Sequence, residues 1–463
     1  MVKKIQSLAF ILAGGRGTRL APLSLTTEGS FPKQFLALAK RRTMLQEAIN
    51  RVPKGIPMVV VPEERYKDEV VKQSEGAVEV ISEPFGCNTT AAVGLAAVYA
   101  LHKGYSEKTV IFIMPADHYM DTRCFRKYYD VAIQGAANGK IVTIGITPDR
   151  PATGYGYIKA NRKMQTIFGK QALYETEAFV EKPDLDTAKK YVESKEYFWN
   201  SGIFAMPVAK ILNVLEKHSP VVFKAVQNIK EALGTPQQLE ILTKEYQAIK
   251  DAKQDISIDY SVMEKEAKNM FLLPAEVKLD WNDVGGWVAL EKYIKPDAAN
   301  NRALNKVEFT KCKDVFALNY RHEHLLWVAH LEDLLIVDTD NGLLVCPKEF
   351  AQRAKEIIPG LEQGQKEILI ESEKNEISNQ TEIPIACLGC KEIKIDYSAE
   401  KLVVSRVGIA LEEPKVEEPV VEEQKPAEEK ADEKPEEVIE KEEVPTEKPA
   451  EAVSEPETAK PEA

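Results

Sequence analysis

Five short apolar segments, separated by helical patterns, dominate the first 146 residues of this chain. Each is nearly continuous in apolar residues, as a strand buried on both faces would be, and they span 7–13, 57–61, 77–82, 109–117 and 141–146. Alternation of such strands with helices, of which residues 89–103 are the clearest, is typical of a doubly wound parallel α/β sheet. Thr43 and Gln46 have the spacing of a helix capping box. Doubly wound sheets bind ligands beyond the carboxyl ends of their strands.

A glycine-rich loop follows the first of these strands, and it comprises Leu12, Ala13, Gly14, Gly15 and Gly17. Glycines let backbone amides approach a ligand closely, and a run of amides forms an anion-binding concavity. Arg16 and Arg19 place positive charge in the same segment. The segment matches neither the P-loop pattern nor the dinucleotide fingerprint, whose third glycine is replaced by Leu20. It therefore indicates either a phosphate-binding loop of another type or an ordinary tight turn.

Two aspartates and a lysine provide charge for a metal ion and a phosphate. Asp117 ends a predicted buried strand in the motif MPADH, and Asp283 lies in DWNDVGGW. Mg²⁺ takes one or two carboxylates together with substrate phosphate oxygens, so both are candidate ligands, although a loop aspartate is often only a helix cap. Lys33, in FPKQFL, is a compact point charge that suits a phosphate.

Three further motifs combine amide, carboxylate and exposed backbone groups, a mixture that suits a hydroxyl-rich ligand such as a sugar. Glu181 and Lys182 lie in FVEKPD, Asn200 lies at a predicted turn in YFWNSGIF, and Gly156 lies in TGYGYI. Each motif alone is compatible with an ordinary turn. Their joint presence favours a sugar site.

The C-terminal part of the chain has a different character. Residues 325–348 and 383–405 read as two copies of one strand-and-turn unit, in which Asp338 and Asp396 end corresponding strands. Such a repeat predicts a β-solenoid or a small β-rich domain. Residues 412–463 contain 20 acidic and 7 basic residues and no aromatic residue, a composition typical of disorder. We therefore predict an α/β domain at 1–295, a β-rich domain at 296–411 and a disordered acidic tail at 412–463.

The order of these motifs resembles that of the sugar-phosphate nucleotidyltransferases, and the similarity is greatest to bacterial mannose-1-phosphate guanylyltransferases. The resemblance covers residues 5 to about 348 and rests on LAGGRGTRL, FPKQFL, EPFGCN, MPADH, GYGYI, FVEKP, WNSGIF and WNDVGGW. It implies a Rossmann-like nucleotidyltransferase domain in which a mannose 1-phosphate oxygen attacks the α-phosphate of GTP in line. The nucleophile is already anionic, so catalysis rests on positioning and on neutralising charge rather than on a general base.

The resemblance also implies a role for each candidate residue. Asp117 and Asp283 would hold Mg²⁺, Arg16 and Lys33 the triphosphate, and Lys182 the sugar phosphate. The sugar would contact Gly156, Glu181 and Asn200. The nucleotide would contact Leu12, Ala13, Gly14, Gly15, Gly17, Glu83 and Asn88, with the Glu83 carboxylate accepting hydrogen bonds from guanine.

One departure from the family pattern and two alternative functions stay open. Cys87 occupies a position where the family usually has an arginine, which puts a contact from that position in doubt. The alternatives are the same reaction with UTP or dTTP and glucose 1-phosphate, or a non-catalytic regulatory subunit with the same fold.

Charge and hydropathy bound the partners and the location. Residues 1–411 are nearly neutral, which gives no general nucleic-acid surface, and no apolar run approaches the roughly 20 residues that cross a bilayer. The six scattered cysteines are typical of a reduced, cytoplasmic protein. We expect no nucleic-acid or membrane partner, and the β-rich region is the candidate surface for a homo-oligomer.

Overall fold

The computed structural model describes residues 5–15, 18–26, 29–168, 171–275, 279–321, 324–359, 367–368, 376–379, 385–387, 393–397 and 401–406. Two predicted site residues, Arg16 and Gly17, and the acidic tail lie outside these ranges. Within them, no helix is long and apolar enough to cross a bilayer.

The first 275 residues contain eleven of the described strands. They are β1 Ser7–Leu12, β2 Leu25–Thr26, β3 Gly29–Ser30, β4 Met58–Val61, β5 Glu79–Val80, β6 Val110–Pro115, β7 Ile141–Ile146, β8 Tyr157–Phe168, β9 Gln171–Val180, β10 Tyr197–Pro207 and β11 Met270–Ala275. The main helices of this part are α1 Met44–Arg51, α2 Lys67–Ser74, α3 Asn88–His102, α4 Thr122–Ala136, α5 Leu185–Ser194, α6 Val208–His218, α7 Pro220–Ala232 and α8 Gln238–Asp251. Thr43 caps α1 through the predicted capping box with Gln46.

Nine of these strands form one sheet in the order β5-β4-β1-β6-β10-β7-β11-β9-β8. Strand β1 is parallel to β4 and β6, as predicted, and β7 is parallel to β11, a strand that the sequence analysis did not identify. The sheet is nevertheless mixed, because β10 runs antiparallel between β6 and β7. The turn predicted at Asn200 is wrong: the residue lies within β10, where the register shifts between Asn200 and Phe204.

Helices cover both faces of this sheet, so the doubly wound α/β architecture is confirmed. Alternate residues of β1 point to opposite faces: Leu8 and Phe10 pack in one core with α3, α6, α7 and α8, while Ala9 and Ile11 pack in another with α1, α2 and α4. This arrangement follows from the period-two alternation of a strand that is apolar at every position.

The β-rich region, residues 302–406, contains the remaining described strands. They are β12 Arg302–Leu304, β13 Val307–Thr310, β14 Phe316–Asn319, β15 Leu325–Ala329, β16 Leu334–Thr339, β17 Gly342–Pro347, β18 Glu367–Ile368, β19 Glu376–Asn379, β20 Ile385–Cys387, β21 Ile393–Tyr397 and β22 Lys401–Arg406. They form two sheets, in the orders β12-β14-β16-β17-β20-β18 and β13-β15-β22-β21-β19. A helical turn, Lys348–Ile357, separates the two repeat copies.

Reciprocal strand pairing confirms the predicted repeat. In the first copy β16 and β17 form an antiparallel hairpin, as β21 and β22 do in the second. The leading strand of each copy then pairs in parallel with the last strand of the other, β15 with β22 and β20 with β17. Each copy thus contributes a strand to the sheet of the other copy, so neither copy buries its apolar face without the other.

The strand register corrects the predicted correspondence of the two aspartates. Asp338 lies opposite Leu343, and the equivalent pair in the second hairpin is Tyr397 with Leu402, which gives an offset of 59 residues. Asp396 is therefore not equivalent to Asp338. Pairing the two aspartates by residue type implies an offset of 58 residues. A difference of one residue matters, because a shift of one position in a strand moves a side chain to the opposite face.

The β-rich region packs directly against the segment that follows the glycine loop. Leu20, Ala21 and Leu25 share a hydrophobic core with β14 and β16. Trp287 Nε1 donates a hydrogen bond to Ala21 O at 2.9 Å, and the Tyr320 hydroxyl donates one to Leu38 O at 3.1 Å. The β-rich region therefore supports the backbone on one side of the candidate site.

Candidate active site

A cavity of about 340 Å³ lies at the carboxyl ends of β1 and β6. These strands are parallel and in register at Leu12 and Pro115, so the loops that follow them meet at one edge of the sheet. Its lining includes most of the residues predicted to bind the nucleotide, together with the first candidate metal ligand: Leu12, Gly14, Gly15, Glu83, Asn88 and Asp117. We call it the first cavity.

Gln34 shapes the described part of the glycine loop. Its side-chain amide donates hydrogen bonds to Ala13 O and, at 3.1 Å, to Gly15 O, while Ala13 N donates to Val61 O at 2.9 Å. Gln34 is fully buried and also lines the first cavity. Sequence reasoning missed this residue, although it stands beside the predicted Lys33 in FPKQFL.

Glu83 is a buried residue that lines the first cavity. Its side chain is buried, and that burial, together with the nearby Glu63 carboxylate, raises its pKa to about 8. A Cβ on Gly14 would lie 3.1 Å from Glu83 Oε2, so the glycine loop passes close to this carboxylate. Cys87, where the family usually has arginine, is another buried residue of this lining and contributes no charge, since burial raises its thiol pKa to about 12.

Asn88 begins α3 at the mouth of the first cavity. Its backbone is left-handed, with φ of 60°, and its side-chain amide donates to Asp255 O at 3.3 Å. The exposed Asn88 side chain is therefore tied to a neighbouring loop on one side and borders the cavity on the other.

Lys33 links the two candidate metal ligands. Its ammonium lies 3.1 Å from Asp117 Oδ2 and donates to the main-chain oxygens of Asp283 at 2.6 Å and Val284 at 3.1 Å. Burial alone would raise the pKa of Asp117, but the charge and hydrogen bond of Lys33, together with the nearby His118, outweigh it and lower that pKa. The Asp283 carboxylate instead accepts a hydrogen bond from the Tyr155 hydroxyl at 2.8 Å.

The segments that carry Asp117 and Asp283 are also joined through their backbones. Tyr119 N donates to Asn282 O at 2.8 Å, and Asn282 N donates to Tyr119 O at 2.9 Å, which makes an isolated antiparallel bridge. The two motifs, far apart in the chain, thus lie side by side.

The two aspartates suit a cation that binds mainly through its substrate. In the described part of the chain, no cluster of three or more His, Cys, Asp or Glu side chains is arranged to hold a metal ion. A cation at Asp117 and Asp283 would therefore take its other ligands from phosphate oxygens and water, as Mg²⁺ commonly does. The Lys33 ammonium beside Asp117 shows that this position favours positive charge.

Asp283 borders a second depression, which we call the basic cleft. Asp283 and the predicted Lys182 both line it, together with four further basic side chains: Arg19, Arg150, Lys292 and Arg302. Lys182 Nζ lies 3.0 Å from Glu181 Oε1 and is half exposed. Asp117 lines the first cavity and Asp283 lines the basic cleft, and Lys33 contacts both residues.

The three predicted sugar-binding residues, Gly156, Glu181 and Asn200, lie together next to Lys182. Asn200 N donates to Gly156 O at 2.8 Å, and the Glu181 carboxylate packs against Gly156 so closely that a Cβ there would overlap Oε2. Burial and the nearby Asp259 carboxylate raise the pKa of Glu181. Asp259, which sequence reasoning missed, accepts from Asn200 Nδ2 at 2.8 Å and reaches the first cavity.

Comparison with known proteins places this chain in a family. Residues 8–300 match the model of the nucleotidyl transferase family, and residues 317–361 match a MannoseP isomerase/GMP-like beta-helix domain. The chain is 37% identical over 358 residues to Xanthan biosynthesis protein XanB of Xanthomonas campestris pv. campestris strain B100, which covers 76% of this chain and 72% of that protein. It is 34% identical over 367 residues to mannose-1-phosphate guanylyltransferase RfbM of Salmonella typhimurium, covering 78% and 73%.

A solved structure gives the same result. A Thermus thermophilus protein, described as a mannose-1-phosphate geranyltransferase, superposes with a TM-score of 0.66 at 28% identity and covers 77% of this chain and all of its own. The matches extend through both the α/β sheet and the start of the β-rich region, as the motif order predicted. The chain is a member of the nucleotidyl transferase family.

Proposed function

We propose that this chain transfers the GMP group of GTP to mannose 1-phosphate in a Mg²⁺-dependent reaction that yields GDP-mannose and pyrophosphate. Support for the substrates comes from the relatives that are named mannose-1-phosphate guanylyltransferases. The observation that carries the proposal is the position of Lys33, which contacts Asp117 of the first cavity and the backbone of Asp283, a residue of the basic cleft.

The first cavity suits the nucleotide. Gly14 and Gly15 border it with main-chain groups, and Lys33 provides positive charge near Asp117 for the phosphates. Glu83 is buried in its lining. An ionised carboxylate accepts from both the N1–H and the amino group of guanine, whereas adenine presents an acceptor at N1 and cannot match it.

The basic cleft suits the sugar phosphate. Lys182 borders it and would hold the phosphate. Glu181 contacts Lys182, and with Asn200 and Gly156 it forms a cluster next to the cleft that has the groups that sugar hydroxyls require. A phosphate oxygen of mannose 1-phosphate forms the new bond to the α-phosphorus of GTP, and the bond from that phosphorus to the bridging oxygen breaks as pyrophosphate leaves. The attacking oxygen carries negative charge, so no side chain has to remove a proton.

The side chains act by position and charge. Lys33 would hold the phosphates of GTP and Lys182 the phosphate of mannose 1-phosphate. Holding both substrates in this way brings the attacking oxygen close to the α-phosphorus. Mg²⁺, when bound at Asp117 and Asp283, supplies neutralisation of the phosphate charge. Trp287 holds the segment after the glycine loop at Ala21 O, and Tyr320 of the β-rich region holds the chain at Leu38 O.

A substrate panel tests this function. The purified chain is incubated with Mg²⁺, each of GTP, ATP, UTP and dTTP, and either mannose 1-phosphate or glucose 1-phosphate, and pyrophosphate release is measured. Release with GTP and mannose 1-phosphate, well above every other pair, is the expected result. Preference for another pair would change the substrates, and no release with any pair would favour a non-catalytic subunit. Cytoplasmic location and a homo-oligomer remain predictions.

A further inference from the structure

His118 and Trp281 form a second link between the segments that carry Asp117 and Asp283. Trp281 Nε1 donates a hydrogen bond to His118 Nδ1 at 3.2 Å, and the two rings meet edge to face with centroids 5.3 Å apart. Each residue stands next to, or two positions from, one of the aspartates. The pair therefore joins the same two segments as the Tyr119–Asn282 bridge, but through side chains.

The hydrogen bond from Trp281 determines which imidazole nitrogen carries the proton. An indole N–H can only donate, so Nδ1 of His118 accepts, and the neutral ring carries its hydrogen on Nε2. That nitrogen lies 3.7 Å from Asp117 Oδ1. The other oxygen, Oδ2, faces Lys33 at 3.1 Å, so the Asp117 carboxylate lies between two positively polarised groups.

We propose that His118 and Trp281 are positioning residues that orient the Asp117 carboxylate toward the cation it shares with Asp283. The inference rests on the proposed function only for the identity of that cation site. Trp281 fixes the tautomer and the plane of the His118 ring, and the Nε2–H dipole, too far from Oδ1 for a direct hydrogen bond at 3.7 Å, favours one rotation of Asp117 by electrostatic attraction. His118 itself lines the first cavity and is largely buried, which holds the ring in place.

Three substitutions distinguish a positioning role for this pair from a purely structural one. Trp281→Phe keeps an aromatic ring in the pocket but removes the N–H donor, and His118→Phe keeps a ring but removes both nitrogens. His118→Gln, in contrast, keeps an N–H group that can reach Asp117. Outer-sphere partners of metal ligands typically change metal affinity about 10- to 100-fold when they are removed.

The test is Mn²⁺ binding in the presence of a non-hydrolysable GTP analogue, measured by the electron paramagnetic resonance signal of free Mn²⁺. We expect the dissociation constant to rise about tenfold in Trp281→Phe and in His118→Phe, and to remain within about threefold of wild type in His118→Gln. Melting temperatures are measured on the same samples. Trp199→Phe is the matched control, because Trp199 lies in the same aromatic cluster and its N–H donates to none of the described residues.

Several outcomes would overturn the inference. These are unchanged Mn²⁺ affinity in Trp281→Phe and His118→Phe, an equal loss in Trp199→Phe, a His118→Gln variant as weak as His118→Phe, or no Mn²⁺ binding by the wild-type chain. The substrate panel tests the proposed function separately. A chain that binds Mn²⁺ in a His118-dependent way but releases no pyrophosphate would retain the positioning pair and lose the proposed reaction.

Discussion

Gly156 packs directly against the Glu181 carboxylate, and a Cβ on residue 156 would overlap Oε2 of that side chain. The same Cβ would come within 3.3 Å of the Asn200 Cβ. Because β8 and β10 pair antiparallel at this point, the backbone of Asn200 cannot move away, and the carboxylate of Glu181 would have to shift instead. The three predicted sugar-binding residues therefore depend on one another's size.

Gly156→Ala should weaken the use of mannose 1-phosphate. The added methyl group displaces the Glu181 carboxylate, and overpacking of this kind costs about 1–3 kcal/mol, so we expect the KM for mannose 1-phosphate to rise about 5- to 150-fold. The KM for GTP should change little. Steady-state kinetics with each substrate varied in turn provide the measurement. Lys163→Ala, at an exposed position of β8 outside the basic cleft, is the control; equal effects in both variants would contradict the prediction.

Lys33→Met should lower turnover strongly. The substitution removes the cation beside Asp117 and the hydrogen bonds to the Asp283 and Val284 carbonyls. By analogy with the loss of one transition-state donor, we expect kcat to fall about 10²- to 10³-fold. Pyrophosphate release measures the rate, and a thermal melt checks the fold. Arg42→Gln removes a nearby exposed cation whose closest carboxylate, on Glu47, is 3.8 Å away, and it should leave kcat within about twofold.

The local elements of this fold were predictable from sequence, whereas the strand between β6 and β7 was not. The apolar runs at β1, β4, β6 and β7 and the cap at Thr43 depend on residues close in the chain, which periodicity detects. The antiparallel insertion of β10 depends on pairing with strands that lie far earlier in the chain, which no local pattern records. The same limit explains the repeat offset, which only the strand register could give.

The candidate site likewise contains residues that local motifs predicted and residues that only tertiary contacts reveal. Motifs predicted Asp117 and Glu181, which end predicted strands, Asp283, which precedes a glycine turn, and Lys33, which follows Pro32. Asp259 was missed because its role comes from a hydrogen bond to Asn200, 59 residues earlier. Gln34 carried a usable signal, since it stands next to Lys33 at the start of a buried turn, but its contact with the glycine loop is tertiary.

Glu83→Gln should relax the choice of base. The amide offers one acceptor and one donor where the carboxylate offers two acceptors, so guanine loses a matched partner and is left with an unpaired donor. We expect the ratio of kcat/KM for GTP over ATP to fall about 10- to 100-fold, the effect of about 1–3 kcal/mol. Competition between the two nucleotides measures that ratio. Unchanged discrimination would remove Glu83 from the base site.

GTP affinity should also depend on pH through Glu83. Burial raises the pKa of this carboxyl to about 8, so at pH 7 the free site is mainly protonated. Guanine requires the ionised form, and binding therefore releases a proton. We expect affinity to rise between about pH 6.5 and 8 and to level off above that range, with the rise absent in Glu83→Gln. Calorimetric titration in two buffers of different ionisation enthalpy measures the released proton, and the same slope in both proteins would contradict the assignment.

Glu266→Gln should destabilise the α/β part of the chain in a pH-dependent way. Glu266 is buried and contacts Lys210 Nζ at 2.8 Å, Lys217 Nζ at 3.0 Å and His218 Nε2 at 2.8 Å. Burial alone would raise its pKa, but these three partners outweigh it and lower the pKa to about 2. A carboxyl with a lowered pKa stabilises the fold above its unfolded pKa and loses that contribution as the pH falls.

The expected loss is about 3 kcal/mol in the free energy of unfolding at neutral pH, since each pKa unit corresponds to about 1.4 kcal/mol. Urea unfolding of wild type and variant from pH 7 to pH 3 measures it. The difference should be constant above about pH 4.5 and narrow below it, because the wild-type contribution declines between the unfolded pKa and about 2. Glu216→Gln changes an exposed carboxylate on α6, the helix that also carries Lys210 and Lys217, and should alter stability by less than about 0.5 kcal/mol. A difference between wild type and Glu266→Gln that does not change with pH would show that Glu266 acts by packing rather than by charge.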